Sequence, residues 1–182
     1  MTPDAIVDFW RQAGPERWFA HDAQLDQTIA ERFESLHKAA ATGALAHWEG
    51  QAEGALALIL LTDQFSRNLY RGSAHAFATD EMARHVADRA IARGFDLAFA
   101  PQLRQFFYLP FEHHEDRASQ ARAVALYEKL VADGGTPQGL DYAHLHAGLI
   151  ARFGRFPHRN AVMGRLSTPE ETAYLAEGGF AG

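Results

Sequence analysis

LALILLTDQFSRNLYR, Leu56 to Arg71, decides the fold. Its first six residues, Leu56 to Leu61, offer no polar face. A helix that is apolar all round is buried rather than laid on a surface. The run is too short for a bilayer, which takes roughly 20 apolar residues. It therefore predicts a central core helix. Asp63, Arg67 and Arg71 follow at i, i+4 and i+8, on one face, with Gln64 and Asn68 on the adjoining stripe. The helix should carry this polar head out of the core and stop near Gly72.

Outward from this helix, the chain punctuates itself into further helices. Pro3 to Gln12 reads as one, broken by Gly14-Pro15, with Trp18 and Phe19 as anchors for the loop after it. Asp22 is placed to cap another that runs to about Ala41, with Leu25, Ile29, Phe33 and Leu36 at helical spacing. Thr79 is placed to cap a helix ending at Gly94, and Pro101 to open one that meets Pro110. Ala118 to Asp133 is amphipathic, and Thr136-Pro137 begins a helix that ends near Gly154. A short helix is expected after Asn160, and Thr168-Pro169-Glu170-Glu171 has the form of a capping box. No stretch alternates with period two. The expected architecture is all-α, eight or nine helices in one domain, residues 1 to 182.

Bulk properties narrow the function. Cysteine is absent, so disulfide and thiolate chemistry are excluded. The start has no basic n-region of a signal peptide, so a cytoplasmic protein is expected. The net charge of −6 argues against general affinity for nucleic acid or a membrane surface, and neither is an expected partner. The cations are 15 Arg and 2 Lys. Arg suits bidentate contact with carboxylate or phosphate, although base composition can skew this ratio as well.

Three motifs hold most of the unusual polarity: DQFSRNLYRG (63–72), FFYLPFEHHED (106–116) and RFGRFPHRN (152–160). In this order they resemble a widespread bacterial family of unknown function whose members have an all-α, tetratricopeptide-like fold. The resemblance covers nearly the whole chain, including DFW (8–10) and WF (18–19). It implies helices packed as antiparallel pairs, and it supplies no activity, cofactor or substrate. Two departures stand out. The family often has proline where Ser66 stands, and a His-Arg-Asp whose last two places are here Ala147 and Gly148, after His146.

Polar groups packed beside apolar runs must be paired with something. The candidates for ligand binding are Asp63, Arg67, Asn68, Arg71, Glu112, Arg155, Arg159 and Asn160. His113, Glu115 and His158 are candidates for acid/base chemistry, with Glu115 or Asp63 orienting the histidine. Asp63, Glu112 and Glu115 oppose Arg67, Arg71, Arg155 and Arg159, so one arginine is unmatched unless Asp116 cancels it. The motifs are expected to meet in an arginine-rich cleft. An anionic small molecule or a peptide carboxylate is the expected ligand, and Arg159, beside His158, the expected ligand-facing arginine. The rivals are an enzyme using His113 or His158, and an interaction scaffold whose motifs are purely structural. No HExxH, P-loop, GxGxxG or GxSxG occurs, and neither metal nor cofactor is expected. Phe153 and Phe156, between arginines, read first as core plugs rather than an RNA clamp.

Overall fold

The computed structural model describes all 182 residues and is all-helical, with no strand. In order the α-helices are α1 (Pro3–Ala13), α2 (Pro15–Trp18), α3 (Ala23–Ala41), α4 (Ala52–Ile59), α5 (Phe65–Leu69), α6 (Asp80–Ala92), α7 (Pro101–Arg104), α8 (Leu109–Glu112), α9 (Arg117–Ala132), α10 (Gln138–Phe153) and α11 (Pro169–Ala176). α4 and α5 run into each other through a π-turn, Leu60–Gln64, so ten helices form where eight or nine were expected. The surplus comes from one-turn helices opened by proline, such as α2 and α8, which short apolar windows do not reveal. The short helix expected after Asn160 does not form. Residues 161–164 are a turn, closed by the Arg165 N–H donating to the Asn160 carbonyl at 2.8 Å.

Several helix ends follow from their residues. Asp22 accepts from the Gln24 and Leu25 N–H groups at 3.0 Å, and Thr168 and Glu171 make the reciprocal capping box. Phe19, expected as an anchor, is 62% exposed; Trp18 is the buried member of the pair.

Leu56 to Leu61 lies at the centre, with Leu58 at 4% exposure and the other five residues at 0%. α4 packs against α1 and α6, and α5 against α3. Thirty buried residues make one cluster, and Leu149, Ile150 and Phe156 form a small second one under α10. Gly54 is required on α4, since a Cβ there would sit 2.0 Å from the Trp48 carbonyl oxygen.

The π-turn is the feature that the helical period did not foresee. A π-turn inserts a residue and releases carbonyls from the regular ladder. Side chains from elsewhere collect them. His37 Nδ1 donates to the Leu61 carbonyl at 2.8 Å, Arg67 Nη1 to the Asp63 carbonyl at 2.7 Å, and the Thr79 hydroxyl to the Thr62 carbonyl. Thr79 therefore makes no side-chain cap on α6, the role its sequence position suggested. Helix α5 ends at Leu69, ahead of the expected stop near Gly72.

Candidate functional site

The π-turn delivers Asp63 into the interior at 0% exposure. Its Oδ1 accepts from His113 Nδ1 at 2.8 Å and lies 3.2 Å from Arg67 Nη1, while Gln64 donates to Oδ2. Burial pushes the Asp63 carboxyl up, but the Arg67 charge, then His113 and Gln64, hold it far below the usual range. A carboxylate can only accept, so His113 Nδ1 carries its proton and leaves Nε2 with the lone pair. Burial and the Arg67 charge push the His113 pKa down, so its ring is neutral at pH 7. Arg67 extends the knot to α6, with Nη1 and Nη2 on the two oxygens of Asp80 at 3.0 and 3.1 Å. Against the cost of burial, Asp63 and Asp80 raise the Arg67 pKa.

Arg159 comes to the same place from the third motif. Its Nη1 donates to the His113 carbonyl at 3.0 Å, and its guanidinium lies 4.6 Å from both the Phe77 and Phe156 ring centroids. The nearest carboxylate is Asp80, at 3.8 Å, too far for a hydrogen bond. Nε is buried without a partner. Burial first, and the Arg67 charge second, push the Arg159 pKa down to about 10.

Glu112 is 3% exposed. His146 Nδ1 lies 2.8 Å from the Tyr142 carbonyl and 3.1 Å from Glu112 Oε1, so it carries a proton toward both, while Oε2 has no partner. Burial pushes the Glu112 carboxyl up to about 8, against the neighbouring Tyr127 hydroxyl, which holds it down, and with the Asp63 charge, which adds to the rise. Burial also pushes His146 and His158 down to about 4. At pH 7 this shell is made of neutral groups beside the Arg159 cation.

The other candidates are engaged elsewhere. Asn68 and Arg71 both donate to Asp26 on α3, at 2.7 and 2.9 Å, near the surface. Arg155 forms a two-bond pair with Glu171, at 2.6 and 2.7 Å, and Asn160 donates to the same carboxylate at 3.1 Å, which fastens α11. Glu115 is held by Arg165 at 2.6 and 2.9 Å and accepts from the Phe156 N–H at 2.7 Å. Of the two orienting carboxylates considered for a histidine, Asp63 reaches one, His113. Asp116, considered as a charge-balancing group, caps α9.

Three motifs thus touch, through Asp63–His113 and Arg159–His113. The deciding partners outside them, Asp26, Phe77, Asp80, Arg165 and Glu171, read in sequence as ordinary helix-end or loop residues. Asp80 had one signal, its place in the first turn of α6. A groove of about 460 Å³, floored by Leu58, Met82 and Val86, lies elsewhere, as does a second beside Arg155 and Glu171. Neither is lined by Asp63, His113 or Arg159. No helix is long and apolar enough to cross a membrane.

Comparison with known proteins agrees with this architecture. No curated protein matches the chain. The solved structure of a protein of unknown function from Agrobacterium tumefaciens is 51% identical, with a TM-score of 0.91 over 96% of this chain and 97% of that one. A family described as "Bacterial protein of unknown function (DUF924)" matches residues 6–179. With nearly its whole length matched, the chain belongs to this DUF924 family.

Proposed function

We propose that the protein binds a small anion, either a free molecule or the carboxylate of a peptide, at the Arg159 guanidinium, with Arg67 and His113 alongside. One observation carries this reading. Four of the five motif arginines end on a carboxylate at hydrogen-bond distance: Arg67 on Asp80, Arg71 on Asp26, Arg152 on Glu170 and Arg155 on Glu171. Arg159 does not, although it is 7% exposed. A buried cation is costly unless paired, and sites built for function commonly give up stability in this way. With Nη1 committed to the His113 carbonyl, the Nε–Nη2 edge remains, and that edge suits two-point contact with carboxylate or phosphate. We take the protein to be cytoplasmic, its helix pairs to stack in the tetratricopeptide-like manner, and its three motifs to be the family's signature.

A thermal-shift screen of anionic metabolites tests the reading, because a ligand selective for the native state raises its apparent stability. At least one anion should stabilise the protein and leave Arg159→Met unmoved. A screen with no stabilising anion, or one whose shifts survive in Arg159→Met, contradicts it.

A second reading, an enzyme acting on the bound anion, has its own observation. The 2.8 Å contact between Asp63 and His113 leaves Nε2 as an oriented base. Turnover of the anion found in the screen, lost in His113→Asn with binding retained, would favour it. Binding without turnover in the wild type would leave the binding protein alone.

A further inference from the structure

The shell beside Arg159 is as unusual as the arginine itself. The Phe156 ring carries the Arg159 guanidinium at 4.6 Å, the His158 ring stacked at 5.6 Å and the edge of His146 at 5.2 Å. Glu112 joins through His146 at 3.1 Å. Polar side chains from three segments therefore gather at one phenyl ring. Three of their buried atoms have no partner in the protein: Glu112 Oε2, His158 Nδ1 and Arg159 Nε. Folded proteins pair nearly all such atoms, so three in one shell mark a place shaped for something polar. Phe180 roofs it, with its ring 5.0 Å from His146 and 5.2 Å from His158.

The chemistry of the unpartnered atoms is specific. Oε1 of Glu112 faces the His146 N–H, so a neutral Glu112 carries its proton on Oε2 and donates from there. His158 Nδ1 accepts in the tautomer with its proton on Nε2. A hydroxyl both donates and accepts at a single oxygen, so one ligand hydroxyl can satisfy both. A carbonyl would serve Glu112 alone.

We propose that the Arg159 anion site extends into this shell and takes a hydroxyl-bearing anion, a hydroxycarboxylate or a phosphorylated polyol, with the acid group on Arg159 and the hydroxyl between Glu112 and His158. This rests on the anion-binding reading and adds the ligand class to it. Sites built to hydrogen-bond a hydroxyl reject the analogue that lacks it, because their own buried polar atoms are then stranded.

Isothermal titration at pH 7 on the full chain tests this with two matched pairs: lactate against propionate, and glycerol 3-phosphate against propyl phosphate. Within each pair the charged group and carbon skeleton are the same. The hydroxylated member of one pair should bind at least about tenfold more tightly, and which pair does so tells carboxylate from phosphate. In Glu112→Leu and in His158→Leu that preference should fall to within about twofold. Glu112→Gln, which keeps a neutral donor, should retain it. Should one leucine variant fail to fold, as judged by circular dichroism, the other carries the test. Equal affinity within both pairs overturns the hydroxyl subsite and leaves anion binding standing. A preference that survives both leucine variants also overturns it. No binding by any of the four overturns the hydroxyl subsite, while the anion screen with Arg159→Met decides the anion-binding reading separately.

Discussion

Arg67 and Arg159 lie against the same phenylalanine and approach the same aspartate, yet they are opposite cases. Arg67, 22% exposed, makes hydrogen bonds to both oxygens of Asp80 and pairs with Asp63. Arg159, its side chain 8% exposed, has one carbonyl, two ring faces and an unpartnered Nε. The pKa of the first is raised by its carboxylates, and that of the second is pushed down by burial to about 10. The more buried cation is thus the less satisfied one. Residue type and burial together do not separate these two arginines. The partner count does.

Several measurements sharpen or break this contrast. The largest expected effect is Arg67→Met, which takes the cation from the fully buried Asp63 and both arginine hydrogen bonds from Asp80. Removing one member of a buried pair costs about 3–5 kcal/mol, readable as a lower denaturant midpoint. A loss under about 1 kcal/mol would mean that the knot is not structural.

Next comes pH. The Glu112 carboxyl is raised to about 8 by folding, so the stability it contributes is full below its unfolded pKa and is lost as pH rises through 8. The histidines are lowered, so theirs is present above about 6.5 and is lost as pH falls. Between about pH 6.5 and 8 the histidine contribution is level, and stability should decline by up to about 1.4 kcal/mol per pH unit from Glu112. Glu112→Gln should flatten that stretch of the profile. An unchanged slope would place the titration elsewhere.

Arg71→Met is smaller. Its Asp26 pair lies near the surface, where such pairs contribute up to about 1 kcal/mol. Unlike Arg67→Met, it should also become less costly at high salt in urea melts. A salt-independent loss of several kcal/mol would mean that this pair belongs with the Arg67 knot.

Much of this was legible in the sequence, for physical reasons. Leu56 to Leu61 could only be interior because no face of a helix through it tolerates water. The capping residues Asp22 and Thr168 announced their helices through side-chain acceptors at the correct spacing. The π-turn was not legible, because it shifts carbonyls without changing composition. With it went the true stop of α5 and the role of Thr79. At the site, the motifs named Arg67, His113 and Arg159, but the partners that sort them are helix-end residues from other segments. Asp80 and Glu171 are indistinguishable in sequence from the acidic first-turn residues that any helix prefers. Counting charges leaves one arginine unmatched, and Arg159 is the motif arginine with no carboxylate at hydrogen-bond distance. Of the carboxylates counted, only Asp63 matches one of those arginines, Arg67, which it shares with Asp80; Asp26 and Glu171, outside the count, match Arg71 and Arg155.

Denaturant melts of Arg67→Met and Arg159→Met under identical conditions without added anions distinguish a ligand-facing Arg159 from one that holds the fold as Arg67 does. Arg159 crowds the Arg67 charge, so its removal should change stability by less than about 0.5 kcal/mol or raise it slightly, against a loss of about 3–5 kcal/mol for Arg67→Met. Equal, large losses in the two variants would contradict the account and make both arginines parts of one structural network.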